Sequence, residues 1–196
     1  MGFAPAAGDE FQRDLSASGD VLRIHRNFTR HLEDMLLQSG RRRPVPWDKA
    51  LEVFLARVEG SALGWFLYGS GGLAVRGIEV SPGDLDFWVD DAELAGLIFA
   101  DLLVEPVTTM QGWIAKRGGR AFAGCLLEWV AEVDPQVDQP LPHEQGPAAA
   151  ARLERVTWRS WSVPVAPLDL QLSVAERRGL MDRVASIRAY MASPSS

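Results

Sequence analysis

One stretch constrains this chain more than any other: Trp65 to Asp91, WFLYGSGGLAVRGIEVSPGDLDFWVDD. Its opening, Gly64-Trp65-Phe66-Leu67-Tyr68, reads as a short buried strand that runs into Gly69-Ser70-Gly71-Gly72. Glycines let a backbone approach a ligand closely, and a helix start beyond them turns free amides outward, so the pair makes a phosphate cradle. Asp84 and Asp86 open the next strand, over 84–89. Two residues apart on a strand, their carboxylates project from one face about 7 Å from each other. Two like charges that close are unfavourable unless a cation lies between them, and an oxygen-only ligand set suits Mg²⁺. A phosphate cradle beside paired carboxylates predicts metal-assisted transfer of a phosphorus centre.

Each half of this pattern has a plain reading alone: the glycine run as a turn, Asp84-x-Asp86 as a solvated strand face. Their order, after one strand and on the next, points to a site. A dinucleotide fingerprint also fits the glycine spacing, as Gly69-x-Gly71-x-x-Ala74. That motif needs a full βαβ unit with an acid closing its second strand. Here Gly77 and Pro82 cut the helix short, and the acids open the strand.

The rest of the chain frames this segment. At 196 residues, 47% of them hydrophobic and 23% charged, it is long enough for one well-buried core. A net charge of −6 argues against a general nucleic-acid coat binder, though not against a nucleic-acid substrate. A single cysteine, Cys125, allows no internal disulfide and suits a reducing compartment. With neither a signal-like start nor an apolar run of about 20 residues, a cytoplasmic protein without membrane contact is expected.

The patterning predicts an α/β fold: a small mixed sheet with helices on one side and the site at one edge, flanked by N- and C-terminal helices. Residues 1–19 are expected to be partly disordered, and 20–196 to form one domain with a core over 47–133 and a helical tail over 167–191. Helices are expected from Val21 to Leu36, stopped by Gly40, and from Trp47 to Val58. Another is expected over 91–99, capped by Asp90 or Asp91. Strands are expected over 102–107 and, as a hairpin around Gly118-Gly119, over 113–116 and 122–133. Residues 134–147 read as an irregular loop and 155–165 as a strand pair or a bent strand.

The Trp65–Asp91 segment resembles the signature of the nucleotidyltransferase superfamily that includes DNA polymerase beta and the aminoglycoside and lincosamide nucleotidyltransferases: an apolar strand, Gly-Ser, a helix, then Asp-x-Asp in an apolar strand. The match falls on Gly69, Ser70, Asp84 and Asp86. It implies transfer of a nucleoside monophosphate from a triphosphate such as ATP to an acceptor hydroxyl or phosphate. Ser70 would contact triphosphate oxygens, and Asp84 and Asp86 would hold Mg²⁺, in a two-metal site completed by a third carboxylate. Candidates for that acid are Glu128, Glu132 and Asp134; Glu128 is preferred because it lies between apolar neighbours in mid-strand, where an unpaired carboxylate would be costly to bury. By the resemblance, Asp86 and Glu128 would share the acceptor-side metal and Asp84 and Asp86 the triphosphate-side one. Of the basic residues Arg76, Lys116 and Arg117, only Lys116, on the hairpin, is retained as nucleotide-binding. The run Arg41-Arg42-Arg43 reads as a solvated loop before a phosphate contact, and Glu176-Arg177-Arg178 as a solvated helix face. A non-catalytic regulator or toxin–antitoxin component of the same fold is the alternative. The acceptor stays unnamed, its walls expected within 20–40 and 134–190, and a homo-oligomer stays open.

Overall fold

The alternation Leu85-Asp86-Phe87-Trp88-Val89 organises the molecule, because residues two apart on a strand share a face. In the computed structural model, which describes residues 21–193 together with the backbone of 4–5 and 11–12, this strand is the middle one of seven. A two-residue ladder, β1 (Ala4–Pro5) with β2 (Phe11–Gln12), precedes it; the disorder expected over 1–19 otherwise lies outside the described residues.

Helices α1 (Val21–Ser39) and α2 (Trp47–Val58) lead to β3 (Trp65–Tyr68), α3 (Gly69–Ala74), β4 (Leu85–Val89) and α4 (Ala92–Ile98). Strands β5 (Leu103–Thr109), β6 (Ala115–Phe122) and β7 (Leu126–Val133) follow, then α5 (Pro147–Ala150), β8 (Glu154–Trp158), β9 (Trp161–Val165), α6 (Leu168–Arg177) and α7 (Met181–Ala192). The sheet order is β5-β6-β7-β4-β3-β9-β8. Strand β4 runs antiparallel to β3 and parallel to β7, and β3 pairs parallel with β9. The mixed α/β fold is thus as expected, but the segment with the acids sits at the sheet's centre rather than its edge.

The odd face of β4, with Leu85, Phe87 and Val89, turns into the main core, where Phe54 of α2 stacks on Phe87 with ring centroids 3.7 Å apart. Helices α1, α2 and α4 cover this face through Ile24, Leu51, Leu55, Ala92 and Ala95. On the opposite face Phe66, Tyr68, Val130 and Trp88 meet Ala149 of α5 and Leu170 and Val174 of α6. Those short helices cover only part of that face and leave a cleft over the acids. Helix α1 is pinned to β5 by Asn27, whose Nδ2 donates to the carbonyls of Asp101 (2.8 Å) and Leu103 (3.0 Å). Asn27→Ala is expected to cost about 1 to 2 kcal/mol, read as a drop of a few degrees in melting temperature.

One local expectation is corrected and another is narrowed to a single residue. Gly118 and Gly119 do not make a hairpin turn; they lie inside β6, and the β6–β7 turn falls at Gly124, with φ of 91°. The glycines serve packing: a Cβ at Gly119 would stand 2.6 Å from Cζ2 of Trp129, and one at Gly118 2.6 Å from Sδ of Met110. The cap of α4 is Asp91, which accepts from the amide of Leu94 at 2.9 Å, while Asp90 accepts from Gly64 at 2.9 Å. No helix among the described residues is long and apolar enough to cross a membrane.

Candidate functional site

Strand β3 ends at Tyr68, and the chain turns directly into α3 at Gly69, whose φ is 62°. A Cβ there would be strained and would lie 2.6 Å from Oδ2 of Asp86, so glycine lets the turn close onto the carboxylate. The turn places Ser70, 8% exposed, at the head of α3. Register does the rest: Asp86 lies opposite Tyr68 on one side and Glu128 on the other, on the same face of adjacent strands. Ser70, Asp84, Asp86 and Glu128 consequently line one cleft of about 880 Å³. Of the three candidates for a third acid, Glu128 alone lines it. Glu132 is exposed at a positive φ of 57°, and Asp134 accepts from the amide of Gln136 in a turn.

The acids perturb one another. Burial raises the pKa of Asp86 well above the carboxylate range, and the charges of Asp84, Glu128 and Glu144 add to it, against a smaller opposing pull from Arg183. Asp84 is raised by burial, partly countered by Arg120 and Arg183. Burial raises Glu128 as well, again countered by Arg120. The Tyr68 hydroxyl, buried among these acids, is pushed far up by desolvation and by their charge.

Glu128 differs from the two aspartates in having a cation of its own. Nε of Arg120 lies 2.8 Å from its Oε1, and Nη2 donates to Oε2 at 3.2 Å. The same guanidinium donates through Nη1 to Glu105 at 3.2 Å. No comparable pair holds Asp84 or Asp86 among the described residues.

Lys116 does not join the cleft. Its side chain is 62% exposed, 4.0 Å from Asp134. It sits two positions from Gly118 on the strand and faces solvent, so the positive charge in the cleft comes instead from Arg120, Arg178 and Arg183. Arg76 is buried against Glu154 (2.5 Å) and the carbonyl of Ala166, and Arg117 pairs with Glu93. Within the 176–178 run, Glu176 pairs with Arg188 and Arg177 bonds Ser173 and Pro142, while Arg178 lines the cleft.

The 134–146 loop contributes a group that its sequence does not announce. Asp138, 1% exposed, accepts from the amides of His143 (2.7 Å) and Ala148 (2.8 Å) and so gathers the loop around its carboxylate. That fold delivers Glu144, 4% exposed, whose Oε2 accepts from the amide of Gly69 (3.0 Å) and from Nε2 of Gln171 (3.1 Å). Gln171 in turn donates to the carbonyl of Gly69 at 2.9 Å. Burial of a carboxylate is tolerable only with such partners. The amide of Gly69 is therefore occupied, and Ser70 remains as the polar group of the turn that faces the cleft.

No protein-family model and no curated protein sequence matches the chain. Among solved structures it is similar to a provisionally assigned nucleotidyltransferase from Thermotoga maritima, with a TM-score of 0.55 and 15% identity over 74% of this chain and 92% of that one. A second likeness is to an antigenic nucleotidyltransferase-like protein from Paracoccidioides brasiliensis, with a TM-score of 0.45 and 13% identity over 74% of this chain and 78% of that one. At the identity of the first, the likeness speaks to the fold, and the fold is nucleotidyltransferase-like.

Proposed function

We propose that this protein is a Mg²⁺-dependent nucleotidyltransferase that moves a nucleoside monophosphate from a triphosphate to an acceptor and releases pyrophosphate. The observation that carries the reading is the convergence of Ser70, Asp84, Asp86 and Glu128, with Arg178 and Arg183 facing them, in one cleft of a nucleotidyltransferase-like fold.

The donor set suits the ion. Asp84 and Asp86 offer oxygen ligands, burial raises the pKa of both so that their charged forms gain from a nearby cation, and Mg²⁺ is commonly held by one or two carboxylates with water and substrate phosphates completing the shell. Among the described residues no group of three His, Cys, Asp or Glu side chains is already poised around a metal. Glu128 can join only by sharing its charge with Arg120. Bound there, Mg²⁺ would neutralise phosphate charge and acidify the acceptor oxygen. The remaining work belongs to the chain. Ser70 orients a phosphate oxygen, Arg178 and Arg183 draw the triphosphate in, and the buried acids keep the site's charge where the cation is needed.

Calorimetry with a nucleoside triphosphate tests this reading. Without a divalent ion the triphosphate is repelled by the acids; with Mg²⁺ its affinity should rise by about tenfold or more, the equivalent of about 1.4 kcal/mol. Because the carboxylates titrate above their ordinary range, that gain should fade on acidification sooner than ordinary carboxylates would allow. Equal affinity with and without Mg²⁺ would remove the metal from the reading.

One observation favours the non-catalytic alternative: Arg120 already neutralises Glu128, so the third acid is engaged before any ligand arrives. Transfer of label from an α-labelled triphosphate to a metabolite pool, with release of unlabelled pyrophosphate, separates the two.

A further inference from the structure

A second cavity, of about 900 Å³, reaches the same acids. It shares Asp84, Arg120 and Glu128 with the first cleft and no other residue. Ser70, Asp86, Arg178 and Arg183 line only the first; Gln38, Arg41, Arg43 and Trp47, from the end of α1 and the segment after it, line only the second. Three residues therefore stand where two chambers of different composition meet.

Phosphoryl-group chemistry gives that arrangement a direction. In an in-line displacement the nucleophile and the leaving group lie on opposite sides of the phosphorus. If the pyrophosphate leaves toward Ser70 and Arg183, the acceptor comes from the other chamber. The walls of that chamber describe the acceptor. Apart from the shared acids, the charged groups lining it are cations. Arg43 is compensated by Asp34 and by Glu33 at 3.6 Å. Arg41 is exposed, has no ion pair among the described residues, and is held at φ of 53°, a left-handed conformation that a non-glycine residue takes at a cost. Trp47, half-buried, and the apolar Val45, Val80 and Pro82 complete the wall.

We infer that the second cavity is the acceptor pocket, and that the acceptor is a small hydroxyl compound carrying a phosphate or carboxylate, with the anion on Arg41 and an apolar or ring portion on Trp47. This rests on the nucleotidyl-transfer reading. It reverses the charge that an aminoglycoside acceptor would bring, since a polycation meets Arg41 and Arg43 at like charge. In the step itself the acceptor oxygen forms a bond to the α-phosphorus as the bond to the bridging oxygen breaks. That electron pair leaves with pyrophosphate, and the hydroxyl proton passes to the carboxylates common to both chambers and on to water.

The test uses the full chain and three probes with one ring: phenyl phosphate, benzyl alcohol and benzylamine. The indole N–H resonance of Trp47, identified by its loss in Trp47→Phe, reports on the second chamber and needs no catalysis. Phenyl phosphate is expected to shift it at concentrations at least about tenfold below those the amine requires, and Arg41→Glu to weaken that response by about tenfold or more. In parallel, α-labelled triphosphate with Mg²⁺ is offered small-molecule extract separated into anionic, neutral and cationic fractions, and label is expected to move to the anionic one. An amine that binds as well as the phosphate, an Arg41→Glu response equal to wild type, or label moving to the cationic fraction would overturn the acceptor assignment while leaving nucleotidyl transfer intact. Failure of the wild type to bind Mg²⁺ and triphosphate at all would instead sink the underlying reading, and the acceptor pocket with it.

Discussion

Asp86→Asn is expected to abolish the proposed nucleotidyl transfer, by about 100- to 1000-fold or more, without weakening the fold. The substitution keeps the shape of a side chain at the centre of the sheet and removes one negative charge from a group that burial and three acidic neighbours already strain. The sign follows from the direction of the shift. A carboxyl whose folded pKa lies above its unfolded one contributes stability that is fully present below the unfolded value and is lost as pH rises through the folded value. At neutral pH, above the unfolded value, the wild type without metal has given up part of that contribution, whereas Asn has no charge to bury. Asp86→Asn should then melt at or above the wild-type temperature at pH 7, and the difference should close as pH falls toward the ordinary carboxylate range. Added Mg²⁺ should stabilise the wild type more than the variant. Melting curves at two pH values with and without Mg²⁺, plus pyrophosphate release, decide it. A variant that melts well below wild type without metal would show that Asp86 makes contacts the fold needs. An unchanged response to Mg²⁺ would show that the cation is not held there.

What was legible in the sequence, and what was not, divides along physical lines. Period-2 and period-3.6 patterning reports local burial, so α2 over Trp47–Val58 could be read directly, and the strand read over 84–89 lies within one residue of the observed Leu85–Val89. The Gly69-Ser70 and Asp84-x-Asp86 spacing gave neighbours in space because one short turn and one register contact join them. A third acid is implied by the family resemblance, Glu128 stands out among the candidates because an unpaired carboxylate between apolar neighbours is costly to bury, and its register with Asp86 places it beside that residue. Three things were hidden. Gly118-Gly119 looked like a turn because two glycines look alike whether they bend a chain or make room for an indole on the next strand. Glu144 lies in a proline-rich loop whose course depends on Asp138 and on Gln171, 27 residues further on. Arg178 and Arg183 sit in and beyond the α6–α7 turn, and helical period gives a face but not what that face meets. The only local hint was negative: a site of several acids needs cations, and Lys116 could supply one only if β6 turned where it instead runs straight.

Arg120→Met is expected to be the most destabilising change in the cleft, costing about 3 to 5 kcal/mol, the usual consequence of leaving a buried ion pair half-made. The Arg120 side chain is 20% exposed, and it serves Glu105, at 11%, and Glu128, at 24%, so its removal leaves two poorly solvated carboxylates without this partner. Methionine keeps much of the length and apolar stem, which isolates the charge from the packing. Glu128 is already raised by burial and held down chiefly by Arg120, so its pKa should climb further in the variant. The sign is that of Asp86: the missing stability should return as pH falls, because the protonated acid is cheaper to bury. Glu128→Gln in the Arg120→Met background should restore part of it at neutral pH by the same argument. The double variant separates a structural pair from a shared metal ligand. If Glu128 serves only the ion pair with Arg120, Mg²⁺ should stabilise Arg120→Met no more than it stabilises wild type. If Glu128 is a metal ligand restrained by Arg120, freeing it should make Arg120→Met gain more from Mg²⁺ than wild type does, and Glu128→Gln should erase that extra gain. An equal gain from Mg²⁺ in all three proteins would place Glu128 with the sheet's ion pairs and leave the metal to Asp84 and Asp86.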